Sequence, residues 1–388
     1  MNFKFKNLST ISEKHPLEQI GIGVNGITIL KGEKGSAKST AARVMFCIIN
    51  GFYNMDETVS TLKISKIKSR LRRVSSKEYR DDHNISKHQH VATELYNTGL
   101  SKRQRDELTT YVQGMIHTNF PLEESREGIG EKYEELVTMA TTEIVEIIKR
   151  DISKVMAPFV MEYFDNEFKG EISNVHTDEN VTEITVETFR ENLVTIKDNK
   201  EMQLRSLFSM PARAFYLDTP FALDAAFDTE IRNVKDLITT RGIILRQEHL
   251  RLFLNQKEVA ELSAPVKKIL ERITKITGGT LTKQKRDFKF IEKNKENGLR
   301  LVNVSTSLKV FMMIGRLLET GSLTQGGTLI LDKMDMYLDE KYKKYFDVLI
   351  VALNKELDIK TVLISENTEG IEVLLEKENV PYEINMLS

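Results

Sequence analysis

The 388-residue chain has no tryptophan, one cysteine and seven prolines, and its charges nearly cancel, with 56 Lys and Arg against 57 Asp and Glu. Each scarcity excludes something. A single cysteine, Cys47, permits no internal disulfide and suggests a reducing compartment. It sits among Met45, Phe46, Ile48 and Ile49, surroundings that suit a packed, inert thiol better than a reactive one. A net charge of -1 gives no global pull toward nucleic acid or an anionic membrane, so any basic surface must be local. No apolar run approaches the ~20 residues of a membrane span, and the opening MNFKFKNLSTISEKH carries charge where a signal peptide needs an apolar stretch. The expectation is a cytoplasmic protein with no membrane partner, long enough to bury a large core as one discontinuous domain with an insertion or as two domains.

What is present is organised around residues 27–40, ITILKGEKGSAKST. An apolar β-type run, a glycine-rich turn and Lys38-Ser39-Thr40 opening a helix give the strand, loop, helix order of a phosphate-binding loop. In that order the backbone N–H groups from Gly32 through Gly35, Ser36 and Ala37 to Lys38 turn inward around β- and γ-phosphates. The helix start adds the positive end of its dipole, Lys38 reaches the terminal oxygens, and Ser39, with Thr40 beside it, is the candidate Mg²⁺ ligand. Ala37 stands where the pattern has glycine, so a positive φ there would carry strain of order 1 kcal/mol and weaken binding.

Along the chain, NFKFK at 2–6 alternates and reads as an edge strand, and the helix from Ser39 is apolar almost all round until Asn50-Gly51 stops it. Residues 61–80 then gather Lys63, Lys66, Lys68, Arg70, Arg72, Arg73, Lys77 and Arg80 against the single acid Glu78. That run reads either as a nucleic-acid contact with salt-dependent affinity or as a solvated helix face, since no aromatic residues are interleaved for stacking. HNISKHQH at 83–90 reads as a polar surface loop, because neither cysteine nor a clear carboxylate completes a metal site. Ser101 is a candidate cap for a helix to about His117, ended by Phe120-Pro121, and a long amphipathic helix is expected over 131–156, ending before Pro158. Strand-like EFKGEIS, TEITVE and LVTI follow, then a buried strand at 214–217 whose terminal Asp218 either faces a ligand or caps a turn. Helices are expected over 229–276, closed by Gly278-Gly279, with strands near DFKFIEK and LRLVNVS.

The second half of the site lies in GGTLILDKMDMYLD at 326–339, where a continuous apolar run ends in Asp332. A buried parallel strand of this form delivers a carboxylate to the C-terminal edge of a sheet, where it would bind the water shell of Mg²⁺ opposite Ser39. Just upstream, NVSTSLKVFMMIGRLLETG places Ser305 and Ser307 at the start of an apolar helix, which is either an anion site or an ordinary capped core helix.

This order of phosphate loop, long intervening segment, serine-led helix, aspartate strand with Leu338-Asp339 beyond it and final apolar strand TVLIS resembles the ABC-type ATPase heads of the SMC, RecF and Rad50 superfamily. Within it the chain is most similar to small bacterial ATPases with a Ser-Thr-Gly-x-Lys signature, many of them from phage-defence or overcoming-lysogenization-defect-like systems. The resemblance covers 22–51 and 298–370. It implies an α/β P-loop NTPase of the ABC head type, with a discontinuous head at 1–55 and 205–388 and a mostly helical insertion at 56–204 carrying short strands. It further implies ATP and Mg²⁺ as cofactors, head-to-tail homodimers or larger homo-oligomers, and a protein partner or effector. By the same resemblance Ser305, with Ser307 near it, would approach the γ-phosphate held by Lys38 of a second copy.

The departures concern hydrolysis. Ser307 stands where the family has glycine, Lys333 where it has the glutamate that activates water, and Ser365-Glu366-Asn367 where a histidine touches the γ-phosphate, leaving Asn367 as a candidate contact. Asp335 either rescues the base role or occupies the second acidic position of the motif structurally. Lys333 either holds the γ-phosphate or pairs on a dimer surface. Loss of a general base costs about 10² to 10⁴ in rate, so binding is expected to outlast hydrolysis. The leading expectation is a nucleotide-dependent dimerising switch or sensor, in phage defence by resemblance. The alternatives are a DNA-stimulated repair-type ATPase using residues 63–80 and a nucleotide-free pseudo-ATPase.

Overall fold

A strand buried on both faces must be apolar at successive positions, and four segments meet that demand: Ile27–Gly32, Ala214–Leu217, Thr328–Asp332 and Lys360–Ile364. In the computed structural model these four and Tyr382–Leu387 form one all-parallel sheet. Its order is 382–387, 27–32, 360–364, 328–332, 214–217. The structure describes all residues except 9–19, 34, 76–82, 103, 123–129, 175–180, 189–190, 228–245, 285–286 and 388.

The sheet is covered on both faces. Helix Lys38–Gly51, buried at every residue from Val44 to Gly51, packs its Phe46 edge-on against Tyr216. The alternate strand positions Ile27, Ile29, Phe215, Leu217, Leu329 and Leu331 join the core made with helices Ala264–Thr277, Thr306–Glu319 and Glu340–Leu357. Because every strand runs the same way, the phosphate loop, Asp332 and Ser365 all emerge at one C-terminal edge.

Two antiparallel sheets accompany this core. Ile20–Gly23, Asn2–Lys6, Val181–Glu187, Glu191–Lys197 and Glu201–Leu204 pair in that order, and Gly279–Gln284, Asp287–Glu292 and Leu299–Arg300 form a smaller one. Asn2–Lys6 is therefore an inner strand and not an edge. Alternation reports which face is buried, here that of Phe3 and Phe5, and carries no information about whether the backbone is paired on one side or two.

By packing, the chain divides into a unit of Met1–Asn54 with Ala157–Ser388 and a unit of Met55–Met156. Val181–Glu187 pairs with Asn2–Lys6 and carries Glu191–Lys197 and Glu201–Leu204 into the same sheet, so these strands belong to the first unit, which sets the division at a different place from 56–204. The second unit holds helices Met55–Val74, His83–Ser101, Arg105–Asn119 and Gly130–Lys149 around Ile67, Leu71, Leu95, Leu108, Val112 and Ile144.

Several local expectations change. HNISKHQH is the first part of helix His83–Ser101, with His88 buried and its ring stacked on Phe120 at 4.8 Å. Ser101 ends that helix, and the next begins at Arg105. The helix expected over 131–156 is two, Gly130–Lys149 and Ile152–Phe168. Asp151 Oδ1 accepts the Ser153 backbone N–H at 2.8 Å, a local cap that restarts the chain, and Pro158 lies inside the second helix. EFKGEIS is the end of that helix and a turn, with one isolated bridge from Ser173 to Leu8. Of the helices expected over 229–276, Arg246–Leu254 and Ala264–Thr277 are seen, the latter closed by Gly278 at φ 73°, while 228–245 lies outside the described residues. LRLVNVS is the two-residue strand Leu299–Arg300 and a 3₁₀ turn. Among the described residues no helix is long and apolar enough to cross a membrane.

Candidate functional site

The loop between Ile27–Gly32 and Lys38–Gly51 has the backbone of an anion cradle. A Cβ at Gly32 would come within 1.9 Å of the Leu387 carbonyl oxygen, so only glycine fits there. Gly35 adopts φ 91° and Ala37 φ 55°, and the helix starts at Lys38 directly after that left-handed residue. The strain anticipated at Ala37 is thus present, of order 1 kcal/mol. Lys38 Nζ donates to the carbonyls of Gly32 and Glu33, both at 2.7 Å, and to Ser36 Oγ at 3.1 Å, folding the lysine back over its own loop.

A cavity of about 830 Å³ opens over this loop, a size suited to a nucleotide-scale ligand. Gly32, Gly35, Ser36, Ala37, Lys38, Ser39 and Thr40 line one side, with Lys31 and Arg43, and Lys333, Ser365, Glu366, Asn367, Thr368 and Glu369 line the other. Burial and, second to it, the Lys333 charge lower the Lys38 pKa, while Glu366 and Asp332 act in the opposite direction. Two cations therefore share a confined space that an anion would relieve.

Asp332 lies at the end of its strand with Oδ2 accepting the Tyr216 hydroxyl at 2.6 Å and Oδ1 buried without a partner. Burial above all, with the Asp332 charge next, raises the Tyr216 pKa, so the hydroxyl stays a neutral donor. Ser39 lines the cavity and Asp332 does not; a hydroxyl at a helix start and a carboxylate with one bare oxygen are nonetheless hard oxygen donors, the chemistry Mg²⁺ takes.

Asp335 does not line the cavity. Its Oδ2 accepts the Ser365 hydroxyl at 2.7 Å, and Ser365 Oγ in turn accepts the Asn367 backbone N–H at 3.1 Å, which shapes the loop that carries Glu366 and Asn367. Behind it, burial and then the Asp335 charge push the Asp347 carboxyl up to about 6. Lys333 adopts φ 55°, and its backbone N–H donates to the Ile364 carbonyl at 2.8 Å, which fixes the turn that brings its side chain to the cavity.

Ser305 is the N-cap residue of Thr306–Glu319, yet its side chain accepts no capping hydrogen bond. Ser307 is buried, and its hydroxyl donates to the Tyr337 carbonyl at 3.0 Å. Neither serine lines the cavity. Phe221 and Met336 are 52% and 69% exposed in the same neighbourhood, Phe221 lying edge-on to Tyr337 at 6.3 Å.

Asp218, left open between ligand and cap, instead takes Arg246 at 3.1 Å. The basic run is largely engaged inside the second unit. Lys63 Nζ donates to the Ile148 and Arg150 carbonyls at 3.0 and 2.8 Å, Arg70 and Arg73 pair with Glu143, and Lys68 donates to Gln89. Lys77 and Arg80 lie outside the described residues. No group of three or more His, Cys, Asp or Glu that could hold a metal occurs among the described residues.

Sequence reasoning missed Tyr216, Arg43 and the cavity position of Glu366. Tyr216 has no signal in its own strand, because its partner is 116 residues away. Arg43, one turn past Ser39, was detectable from helical spacing.

No family model and no curated protein matches the chain. Among solved structures it is similar to an SMC head domain from Thermotoga maritima, at 10% identity and a TM-score of 0.37, over 96% of this chain and 90% of that one. It is also similar to an SmcHead bound to the C-winged helix domain of ScpA, at 10% identity and a TM-score of 0.36, with the same coverage. The chain's own geometry is a parallel α/β sheet whose C-terminal edge carries a phosphate-loop cavity.

Proposed function

We propose that the chain is an ATP-dependent switch, which binds MgATP over the phosphate loop, hydrolyses it slowly or only with a partner, and closes as a homodimer while nucleotide is held. The observation that carries this reading is the wall facing the loop, where the side chain directly after Asp332 is the cation Lys333. A carboxylate there would accept a proton from attacking water. An ammonium instead holds phosphate oxygens, so the site favours retention over turnover.

Gly32, Gly35 and Ala37 would present backbone N–H groups, the Ser36 N–H donating instead to the Glu33 carbonyl at 3.2 Å, and Lys38 would leave its three loop acceptors for phosphate oxygens. Ser39 and Asp332 would hold Mg²⁺, which would screen the phosphate charge. Asn367, Thr40 and Arg43 also line the cavity and would supply further contacts to phosphate oxygens. Asp335 orders that wall through Ser365. Ser305, whose hydroxyl caps nothing in its own chain, and the exposed Phe221 and Met336 offer the face on which a second copy closes. Ser307 supports that face through Tyr337. A defence role and a protein effector follow from the resemblance in motif order.

Lys38→Ala tests the reading. Sedimentation of wild type should shift to dimer or larger with MgATP, and the variant should stay unshifted. Equal assembly in the two would remove the proposal.

A further inference from the structure

Tyr216 is opposite Ile330 in the register between the two neighbouring parallel strands, so Asp332 lies two residues further along on the same face. The offset along the strand direction is about 6.6 Å, with about 4.8 Å more between the strands, a span a tyrosine hydroxyl and an aspartate together bridge. The ring is fixed from two directions. Phe46 meets it edge-on at 6.2 Å, and the Arg246 guanidinium lies 5.0 Å over it, itself held by Asp218 and Glu167. Phe46 is seven residues beyond Ser39, two turns along the same helical face, so the helix that presents Ser39 also positions the tyrosine. At the far end the hydroxyl takes Oδ2 of Asp332 and leaves Oδ1 buried and bare.

We propose that Tyr216 is a positioning residue for the divalent cation: by tying Oδ2 it commits Oδ1 of Asp332 to the water shell of the Mg²⁺ that accompanies the nucleotide. The inference rests on the MgATP reading above. A carboxylate held by one oxygen cannot rotate away or take the cation in a second geometry, so the cation meets a preoriented ligand and loses less on binding. Outer-sphere partners of this kind are worth about 10- to 100-fold in metal affinity.

The experiment uses the full chain, a fluorescent ATP analogue, and Tyr216→Phe. Nucleotide affinity is measured in EDTA and then across a Mg²⁺ titration, with a thermal melt of each protein. Tyr216→Phe should raise the Mg²⁺ concentration for half-saturation about 10- to 100-fold while leaving the EDTA affinity unchanged. A parallel fall in both affinities would mean the tyrosine only supports the core, and an unchanged half-saturation would mean Asp332 needs no such help; either overturns the proposal. Asp332→Asn and the double variant guard against a loss of folding. With the carboxylate gone, Tyr216→Phe should add no further shift, and an additive shift overturns the idea. Wild type that binds no nucleotide fails the MgATP reading itself, which is a different result from wild type binding normally beside an indistinguishable variant.

Discussion

His249 gives a prediction whose magnitude follows from the structure. It is 6% exposed on helix Arg246–Leu254, packed among the rings of Phe46, Phe215 and Phe253 at 4.6 to 5.6 Å. Neither ring nitrogen has a partner. Burial, with Arg213 second, lowers its pKa from 6.5 to about 3. The unfolded chain therefore takes up a proton below pH 6.5 that the folded chain refuses, and stability falls as pH falls through that window. From pH 7 to pH 5 the loss is about 2 kcal/mol. Asp347 works the other way. With a folded pKa near 6 against 3.8, it gains a proton in the folded state first and returns about 1 kcal/mol over the same interval. The two groups oppose each other in part, and only a comparison isolates the histidine. In His249→Phe, urea unfolding at the two pH values should show the variant gaining about 2 kcal/mol on wild type between pH 7 and pH 5, whatever its packing costs at either. A stability difference equal at both values would refute the account of a buried, neutral, unpaired imidazole.

Other consequences are more direct. Lys63→Met should destabilise the 55–156 unit by about 2 to 4 kcal/mol in urea melts, because it removes two charged hydrogen bonds to carbonyls at the end of Gly130–Lys149. Lys309→Ala should cost about 3 to 5 kcal/mol, since Lys309 is 2% exposed and bonds Asp224 at 2.7 Å, whose other oxygen already lacks a partner. Lys333→Glu should raise single-turnover phosphate release about 10²-fold and weaken ATP binding. Glu366→Gln, which removes a negative charge from the cavity wall, should tighten ATP binding a few-fold in a titration, and weaker binding would assign Glu366 a contact to the nucleotide.

The phosphate loop and the aspartate strand were legible because each is local. A glycine demanded by a 1.9 Å approach and an apolar run ending in a carboxylate write their geometry into a few consecutive residues. What escaped depends on partners far along the chain. Asn2–Lys6 is an inner strand because Val181–Glu187 pairs with it, and the basic run around Lys63 is committed by carbonyls some 85 residues away. HNISKHQH is helical, and the ring on which its buried His88 stacks, Phe120, lies in a later segment. Asp335 illustrates the same limit within the site: the spacing from Asp332 placed it near the chemistry, while its bond to Ser365 turns it to the structure of the wall.

The most direct test of the account is a calorimetric titration of MgATP into the full chain, with sedimentation and phosphate release followed on the same sample. The expected result is micromolar binding with dimerisation and little phosphate released over many minutes. Brisk turnover from the dimer would contradict the retention role given to Lys333, and absence of binding would contradict the nucleotide site as a whole.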